Sequence, residues 1–109
     1  MQAALASILE LNLDAVPDFS QYRSWFWDKF AEFLSEQGLQ HLSLEIKDDW
    51  TPQGWHLTVG TSPRGDFNHV VVGKAGKMIH DPHPSGVGLE NAGTYIVFLA
   101  DMDTVGLPS

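Results

Sequence analysis

Two short runs in the second half of the chain bring together residue types that support acid and base chemistry. They are Asn68-His69-Val70-Val71-Val72-Gly73 and, one hairpin later, His80-Asp81-Pro82-His83-Pro84. The first places an imidazole at the start of an apolar strand, and the second places a carboxylate at the end of the next strand. Hydrolases use a hydrogen-bonded imidazole and carboxylate to activate a nucleophile. We therefore predict that His69 and Asp81 form a catalytic pair.

The sequence does not supply an evident nucleophile for this pair. Its 109 residues include no cysteine. Ser7 is predicted nearly two turns into the first helix, and Ser62 and Ser85 are predicted in loops, so each is expected to be a packing, capping or turn residue. The chain thus contains the imidazole and the carboxylate of a catalytic triad without its nucleophile.

Both members of the pair also have a purely structural interpretation. His69 could be a strand-end histidine whose ring nitrogens bond to its neighbours. Asp81 precedes Pro82, and an aspartate in that position forms turns by accepting a hydrogen bond from the backbone two residues on. The pair is therefore more informative than either residue alone.

The run His80-Asp81-Pro82-His83 raises a second possibility, a metal site. Two imidazoles and a carboxylate lie within four residues, and His69 or His56 on an adjacent strand could complete a zinc or nickel centre. Successive side chains of a strand point to opposite faces, however, so His80 and Asp81 should diverge unless the loop turns sharply. We therefore predict no resident metal and no cofactor.

Two other side chains have functional interpretations that are weaker than the structural ones. Arg64, in a Gly- and Pro-containing loop, could hold a substrate carboxylate through its planar fork, but a lone loop arginine usually meets solvent. Trp27 should lie off the apolar stripe of its helix and could mark a partner surface. Neither residue is included in the predicted site.

The elements that must position these residues are a helical first third and a strand-rich remainder. Residues 2–11 are apolar nearly all round, which predicts a short helix buried on most faces. Ser20 can cap a second helix that ends at Gly38. Beyond Gly38 the apolar period changes to two, which predicts strands. Those strands should contain residues 42–46, 55–59, 70–72, 77–80 and 95–99. The predicted fold class is α+β, with two N-terminal helices packed on an antiparallel sheet of about five strands in a single domain, 1–109.

Composition and charge limit the function classes. Apolar residues make up 43% of the chain and charged residues 18%, which is typical of a folded globular protein. The net charge of −8 makes direct binding to nucleic acid or to an anionic membrane unfavourable. No apolar run approaches the roughly 18 residues that a membrane-spanning helix needs. We expect a soluble, cytoplasmic protein whose substrate or partner is a peptide or protein, including basic ones.

Five blocks of the sequence together resemble small papain-like cysteine peptidases of the bacteriocin-processing type. The blocks follow one another in the family's order from Met1 to about Leu99. They are Met1-Gln2-Ala3-Ala4-Leu5-Ala6-Ser7-Ile8-Leu9-Glu10-Leu11, Leu13-Asp14-Ala15-Val16-Pro17, Ser62-Pro63-Arg64-Gly65 and the two runs that contain His69 and Asp81. The resemblance implies a papain-like fold, with His69 as the family's histidine and Asp81 as its aspartate.

The same resemblance implies that the nucleophilic cysteine falls just before Met1, at the start of the first helix, with the oxyanion-hole donor upstream or at that helix start. In such enzymes the helix and the imidazole lower the pKa of the thiol. Two functions therefore remain open. One is a papain-like peptidase or amidase domain that is inactive without its cysteine, and the other is a non-catalytic, acidic interaction module, an inhibitor or nucleic-acid mimic, on the same fold.

Overall fold

The computed structural model describes residues 1–47 and 50–100. This part of the chain is a mixed α+β structure with two α-helices, two 3-10 segments and one five-stranded antiparallel sheet. The helices are α1 (Gln2–Ile8) and α2 (Phe26–Glu36), and the 3-10 segments are Leu13–Ala15 and Phe19–Trp25. The strands are β1 (Leu39–Glu45), β2 (Trp55–Thr61), β3 (Asn68–Lys74), β4 (Lys77–His80) and β5 (Asn91–Ala100). Their order across the sheet is β1-β5-β2-β3-β4.

The α+β class and the five-stranded antiparallel sheet are confirmed. The placement of the helices was partly wrong, because only α1 lies at the amino terminus. Ser20 does not cap an α-helix; the Asp18 side chain accepts a hydrogen bond from the Ser20 backbone at 3.1 Å and caps a 3-10 segment instead. The second α-helix then begins at Phe26. The papain-like identity of the fold and the single domain over 1–109 stay predictions.

The first helix is also shorter than the apolar pattern predicts. It ends at Ile8, and the chain leaves it through Glu10, whose φ of 56° is left-handed. The backbone N–H of Leu11 donates to the carbonyl of Ala6 at 2.9 Å, and that of Glu10 donates to the carbonyl of Ser7 at 3.3 Å. This pair of bonds is the Schellman motif that closes many helices.

The hydrophobic core lies between the two helices and one face of the sheet. The helix α1 packs against β2 and β3, whereas α2 packs against β1. The largest fully buried apolar side chains of the core are Leu5, Phe19, Phe30, Leu34, Leu57 and Ile96. Because α1 contributes the fully buried Leu5 to this core, its first turn is fixed against the part of the sheet that carries His69.

Burial along the strands follows their position in the sheet more than their sequence period. β2 is the central strand, so both of its faces are covered, and His56 and Leu57 are both fully buried although they point in opposite directions. β1 is an edge strand, and its Leu42 remains 46% exposed. The alternation of apolar and polar residues predicts a strand that is buried on one face only, and this prediction is wrong for β2.

A tight turn joins the two strands that carry the predicted site. Ala75 and Gly76 have φ angles of 53° and 82°, which is the backbone of a two-residue hairpin connection. The hairpin expected between the predicted strands 70–72 and 77–80 is confirmed, and its turn returns β4 along β3. Within the described ranges, no helix combines the length and the apolar character needed to cross a membrane.

Candidate functional site

The structure brings the two predicted site residues into direct contact. Nε2 of His69 lies 2.6 Å from Oδ1 of Asp81. The Asp81 side chain is almost completely buried, at 1% exposure, and the His69 side chain is 15% exposed. The imidazole thus separates a buried carboxylate from the solvent.

A β-bulge decides that Asp81, and not His80, faces His69. The register of β3 with β4 shifts by one residue between Val72 and Gly73, so His80 pairs with Val72. Side chains alternate along both strands, so His80 shares the face of Val72 while Asp81 shares the face of Val71 and His69. The extra residue of the bulge therefore turns the carboxylate toward the imidazole.

The Asp81 carboxylate is held by three donors. Oδ1 accepts the hydrogen bond from His69 and another from the backbone N–H of His83 at 2.9 Å, and Oδ2 accepts from the backbone N–H of Gly88 at 2.8 Å. Burial raises the pKa of this carboxyl, but the hydrogen bonds from His69, His83 and Gly88 and the charge of His69 outweigh burial and bring the pKa to about 2. Asp81 is therefore a charged acceptor at neutral pH.

This contact fixes which nitrogen of His69 carries the proton. A carboxylate can only accept, so Nε2 must donate, and in the neutral ring Nδ1 then holds a free lone pair. Nδ1 makes no hydrogen bond within the part of the chain that the structure describes. His69 is thus arranged as a base, with one nitrogen anchored and the other available.

His69 opens into a surface depression of about 230 Å³. Three segments line this depression besides the strand of His69: the first turn of α1, the loop between β2 and β3, and the loop after β4. The lining residues are Met1, Ala3, Ala4, Arg64, His69, Val70, Pro82, His83 and Pro84. The geometry therefore places the imidazole and the start of the first helix around one cavity.

Arg64 and His83 also line this depression, and the sequence reasoning did not include them in the site. The His83 ring centroid lies 6.4 Å from that of His69, and the rings are perpendicular. The one available signal for Arg64 was its position in the Ser62–Gly65 loop, just before the strand that begins at Asn68. Local spacing alone could not show that this loop folds over the site.

The three serines considered as nucleophiles, Ser7, Ser62 and Ser85, make no hydrogen bond to His69 within the described residues. Ser7 lines a different depression, which it shares with His80. Ser62 is buried, and its Oγ accepts a hydrogen bond from the backbone N–H of Arg64 at 3.1 Å. The Oγ of Ser85 lies 2.8 Å from Nδ1 of His83, its neighbour two residues away. The expectation that these serines have packing or turn roles agrees with these contacts.

The suggested metal cluster does not assemble among residues 1–47 and 50–100. Nowhere in these ranges do three His, Cys, Asp or Glu side chains approach closely enough to hold a metal ion. His80 lines the depression that contains Ser7, away from Asp81, as the alternation of the strand predicts. Nε2 of His56 accepts a hydrogen bond from the Gly76 backbone at 3.1 Å. His80 and His56 therefore lie in separate parts of the fold.

Comparison of the chain with protein-family models, with curated proteins and with solved structures finds no match. The resemblance to papain-like peptidases consequently remains a prediction from the five sequence blocks. The interpretation of the site has to be argued from its geometry, which is the contact of His69 with Asp81 beside the first turn of α1.

Proposed function

We propose that the chain is a papain-like cysteine peptidase or amidase domain that retains the His69/Asp81 dyad and is inactive as a thiol hydrolase because its 109 residues include no cysteine. One observation carries the proposal: His69 is anchored to buried Asp81 through Nε2 and lines a cavity that the first residues of α1 also line. That is the arrangement a thiol at the helix start would need.

The proposed roles follow from the chemistry of amide hydrolysis. A thiol at the head of α1 would lose its proton to Nδ1 of His69, and the thiolate would attack the carbonyl carbon of a peptide or related amide. The bond from carbon to nitrogen then breaks, and the departing amine takes the proton from His69. Water would hydrolyse the thioester in the second half of the cycle. Asp81 keeps the imidazole in the required orientation and stabilises its protonated form.

The placement of the charged groups supports this assignment over a purely structural His69. A strand-end histidine with a structural role usually has both ring nitrogens engaged or exposed to bulk water. Here Nε2 bonds to a carboxylate whose pKa is about 2, and the imidazole lines an open surface depression. An imidazole between a fixed anion and an open site is suited to accept and return a proton.

A second candidate function is a non-catalytic, acidic interaction module on the same fold. The lack of any cysteine favours it, as does the net charge of −8. Two exposed aromatic side chains also favour it, since Trp25 is 65% exposed and Trp27 is 49% exposed. In this case the His69/Asp81 contact would be retained as a structural feature, and the depression would bind a partner without chemistry.

Restoring a thiol distinguishes the two functions. One variant carries a cysteine added ahead of Met1 and a second carries Met1→Cys, and each is treated with iodoacetamide at a series of pH values. The hydrolase proposal expects stoichiometric labelling whose rate rises at a pH well below the ordinary thiol pKa of about 8.5. His69→Ala should remove this early rise, because the imidazole is then absent.

The matched control is His80→Ala, which removes an exposed histidine at the end of the neighbouring strand. It should leave the pH profile of labelling unchanged. Circular dichroism of every variant establishes that the fold is intact. Labelling that is slow and equal with and without His69 in both thiol positions would contradict the hydrolase proposal and favour the interaction module.

A further inference from the structure

We infer that Arg64 binds a carboxylate group of the ligand that occupies the His69 depression, so that the preferred substrate class is a peptide or amide with a carboxylate close to the reacting bond. The substrate class named here rests on the proposed function, but binding of a carboxylate by Arg64 needs no thiol. Arg64 and His69 line the same depression of about 230 Å³, which brings a permanent positive charge beside the candidate base.

The loop around Arg64 is held in a defined shape. Its backbone N–H donates to Oγ of Ser62 at 3.1 Å, and Ser62 is itself 1% exposed. The backbone N–H of Ser62 donates to the carbonyl of Phe67 at 2.9 Å, which closes the loop. The guanidinium carbon of Arg64 lies 5.3 Å from the centre of the Phe67 ring, a cation–π distance. The loop backbone is therefore closed by hydrogen bonds, and the guanidinium lies over the Phe67 ring at its surface.

The charge of Arg64 is available to a ligand. Among the residues that the structure describes, the ion pairs are Lys29 with Glu32 and His69 with Asp81, and neither includes Arg64. The carboxylate of Asp81, which holds His69, already accepts three hydrogen bonds, from His69, His83 and Gly88. An arginine that lines a cavity and has no ion-pair partner among the described residues can bond to an incoming anion.

Carboxylate is the anion that fits this site best. The planar guanidinium donates two parallel hydrogen bonds to a carboxylate, which fixes the direction of the bound group as well as its charge. The chain has a net charge of −8, so the long-range field repels polyanions, and a single carboxylate on a small peptide suffers least from this repulsion. The carboxylate can be a peptide's C-terminus or the side chain of an acidic residue.

Binding to the cysteine-free chain tests the inference without any catalysis. The probes are N-acetyl-glycyl-glycine with a free C-terminal carboxylate, the same peptide as its C-terminal amide, N-acetyl-glutamate with its α-carboxyl amidated, and inorganic phosphate. The imidazole NMR signals of His69 and His83 report on the depression, and titration gives a Kd for each probe. We expect at least one carboxylate peptide to bind about tenfold tighter than the neutral amide.

Two substitutions test whether Arg64 causes the preference for carboxylate over amide. Arg64→Gln should abolish the difference between carboxylate and amide, whereas Lys74→Gln should preserve it, because Lys74 is an exposed cation stacked on Trp55 at 5.2 Å and is not among the residues that line the depression. The free C-terminus and the glutamate side chain separate the two sources of the carboxylate, and preference for either one supports the inference.

Three results would overturn the inference. The first is that the imidazole signals of His69 and His83 do not respond to either carboxylate probe up to its solubility limit. The second is a preference for carboxylate over amide that survives in Arg64→Gln, and the third is that phosphate binds more tightly than both carboxylate probes. His69→Ala should retain the preference, since Arg64 provides it. Loss of His69-dependent labelling in the thiol variants would contradict the proposed function alone, and the binding result would stand independently.

Discussion

The backbone N–H of Gly88 donates a hydrogen bond to Oδ2 of Asp81 over 2.8 Å. Gly88 has a φ of 73°, a left-handed conformation that favours glycine, and it lies seven residues beyond the carboxylate it contacts. The loop after β4 therefore folds around Asp81. The same carboxylate that orients His69 also holds this loop in place, so the site and the local fold depend on one group.

Replacing the Asp81 carboxylate by an amide should weaken both the orientation of His69 and the local fold of the loop after β4. In Asp81→Asn, the side-chain NH₂ must face either the backbone N–H of Gly88 or the backbone N–H of His83, and two donors then meet with no acceptor between them. We expect the free energy of unfolding to fall by about 1 to 3 kcal/mol, measured by urea denaturation. In the thiol variants, the same substitution should slow labelling, because His69 loses its partner and its tautomer is no longer fixed.

Asp66→Asn is the control for this prediction, since Asp66 is an exposed residue of the loop before β3. It should change the free energy of unfolding by less than about 0.5 kcal/mol. Equal stability of Asp81→Asn and the unaltered chain would contradict a carboxylate held by three donors.

Acid should remove the contribution of Asp81 to stability within a defined range of pH. The pKa of its carboxyl is about 2 in the folded chain against an ordinary value of 3.8. The unfolded chain therefore binds the proton first, so this contribution is fully present above about pH 4 and is lost as the pH falls through about 2. Urea denaturation from pH 5 to pH 2 should show a steeper loss of stability for the unaltered chain than for Asp81→Asn. Parallel curves would show that the carboxyl titrates normally.

The His69/Asp81 contact could be predicted from the sequence because both residues belong to one hairpin. A short turn at Ala75 and Gly76 necessarily returns the end of β4 toward β3. The β-bulge that turns Asp81 to the correct face has no clear local signal, and without it His80 would take that position. The sequence marks Arg64 as a side chain able to hold a carboxylate, but its place in the depression of His69 depends on how a separate loop folds, which local spacing does not show.

The fold was predictable where a periodic pattern decides it and not where tertiary packing does. Alternating residues indicate the strands, but their order in the sheet is set by long-range pairing, so the complete burial of His56 could not be read from its strand. The start of the second helix was misplaced because 3-10 segments share the spacing of an α-helix over one or two turns. The end of α1 was misplaced because its left-handed residue is Glu10, where glycine is the usual signal.

His56 should make stability depend on pH near neutrality. Its Nε2 accepts from the Gly76 backbone, and its Nδ1 lies 3.2 Å from the hydroxyl of Thr58, so the buried ring needs to be neutral. Burial lowers the pKa of His56 below its ordinary 6.5, although a hydrogen bond to the Leu57 backbone raises it. The unfolded chain then binds more protons, and stability falls as the pH drops below about 6.5.

His56→Gln tests this assignment, since glutamine can accept from Gly76 and does not titrate. Between pH 7 and pH 5, the free energy of unfolding of this variant should decline less than that of the unaltered chain. His41 is the comparison, because burial also lowers its pKa while its Nδ1 has no partner within the described residues. His41→Gln should reduce the same slope independently. An unchanged slope in His56→Gln would show that the ring binds its proton as readily in the folded chain as in the unfolded chain.

The left-handed residue at the end of α1 offers a substitution that should stabilise the chain. Glu10 holds a φ of 56° in order to close the Schellman motif, and its Cβ makes this conformation unfavourable. Glycine adopts it without that cost, so Glu10→Gly should raise the free energy of unfolding by about 0.5 to 1 kcal/mol in urea or thermal denaturation. Glu10→Ala removes the same charge and keeps the Cβ, so it should bring no such gain. Equal stabilisation by both substitutions would attribute the effect to charge and would contradict backbone strain at Glu10.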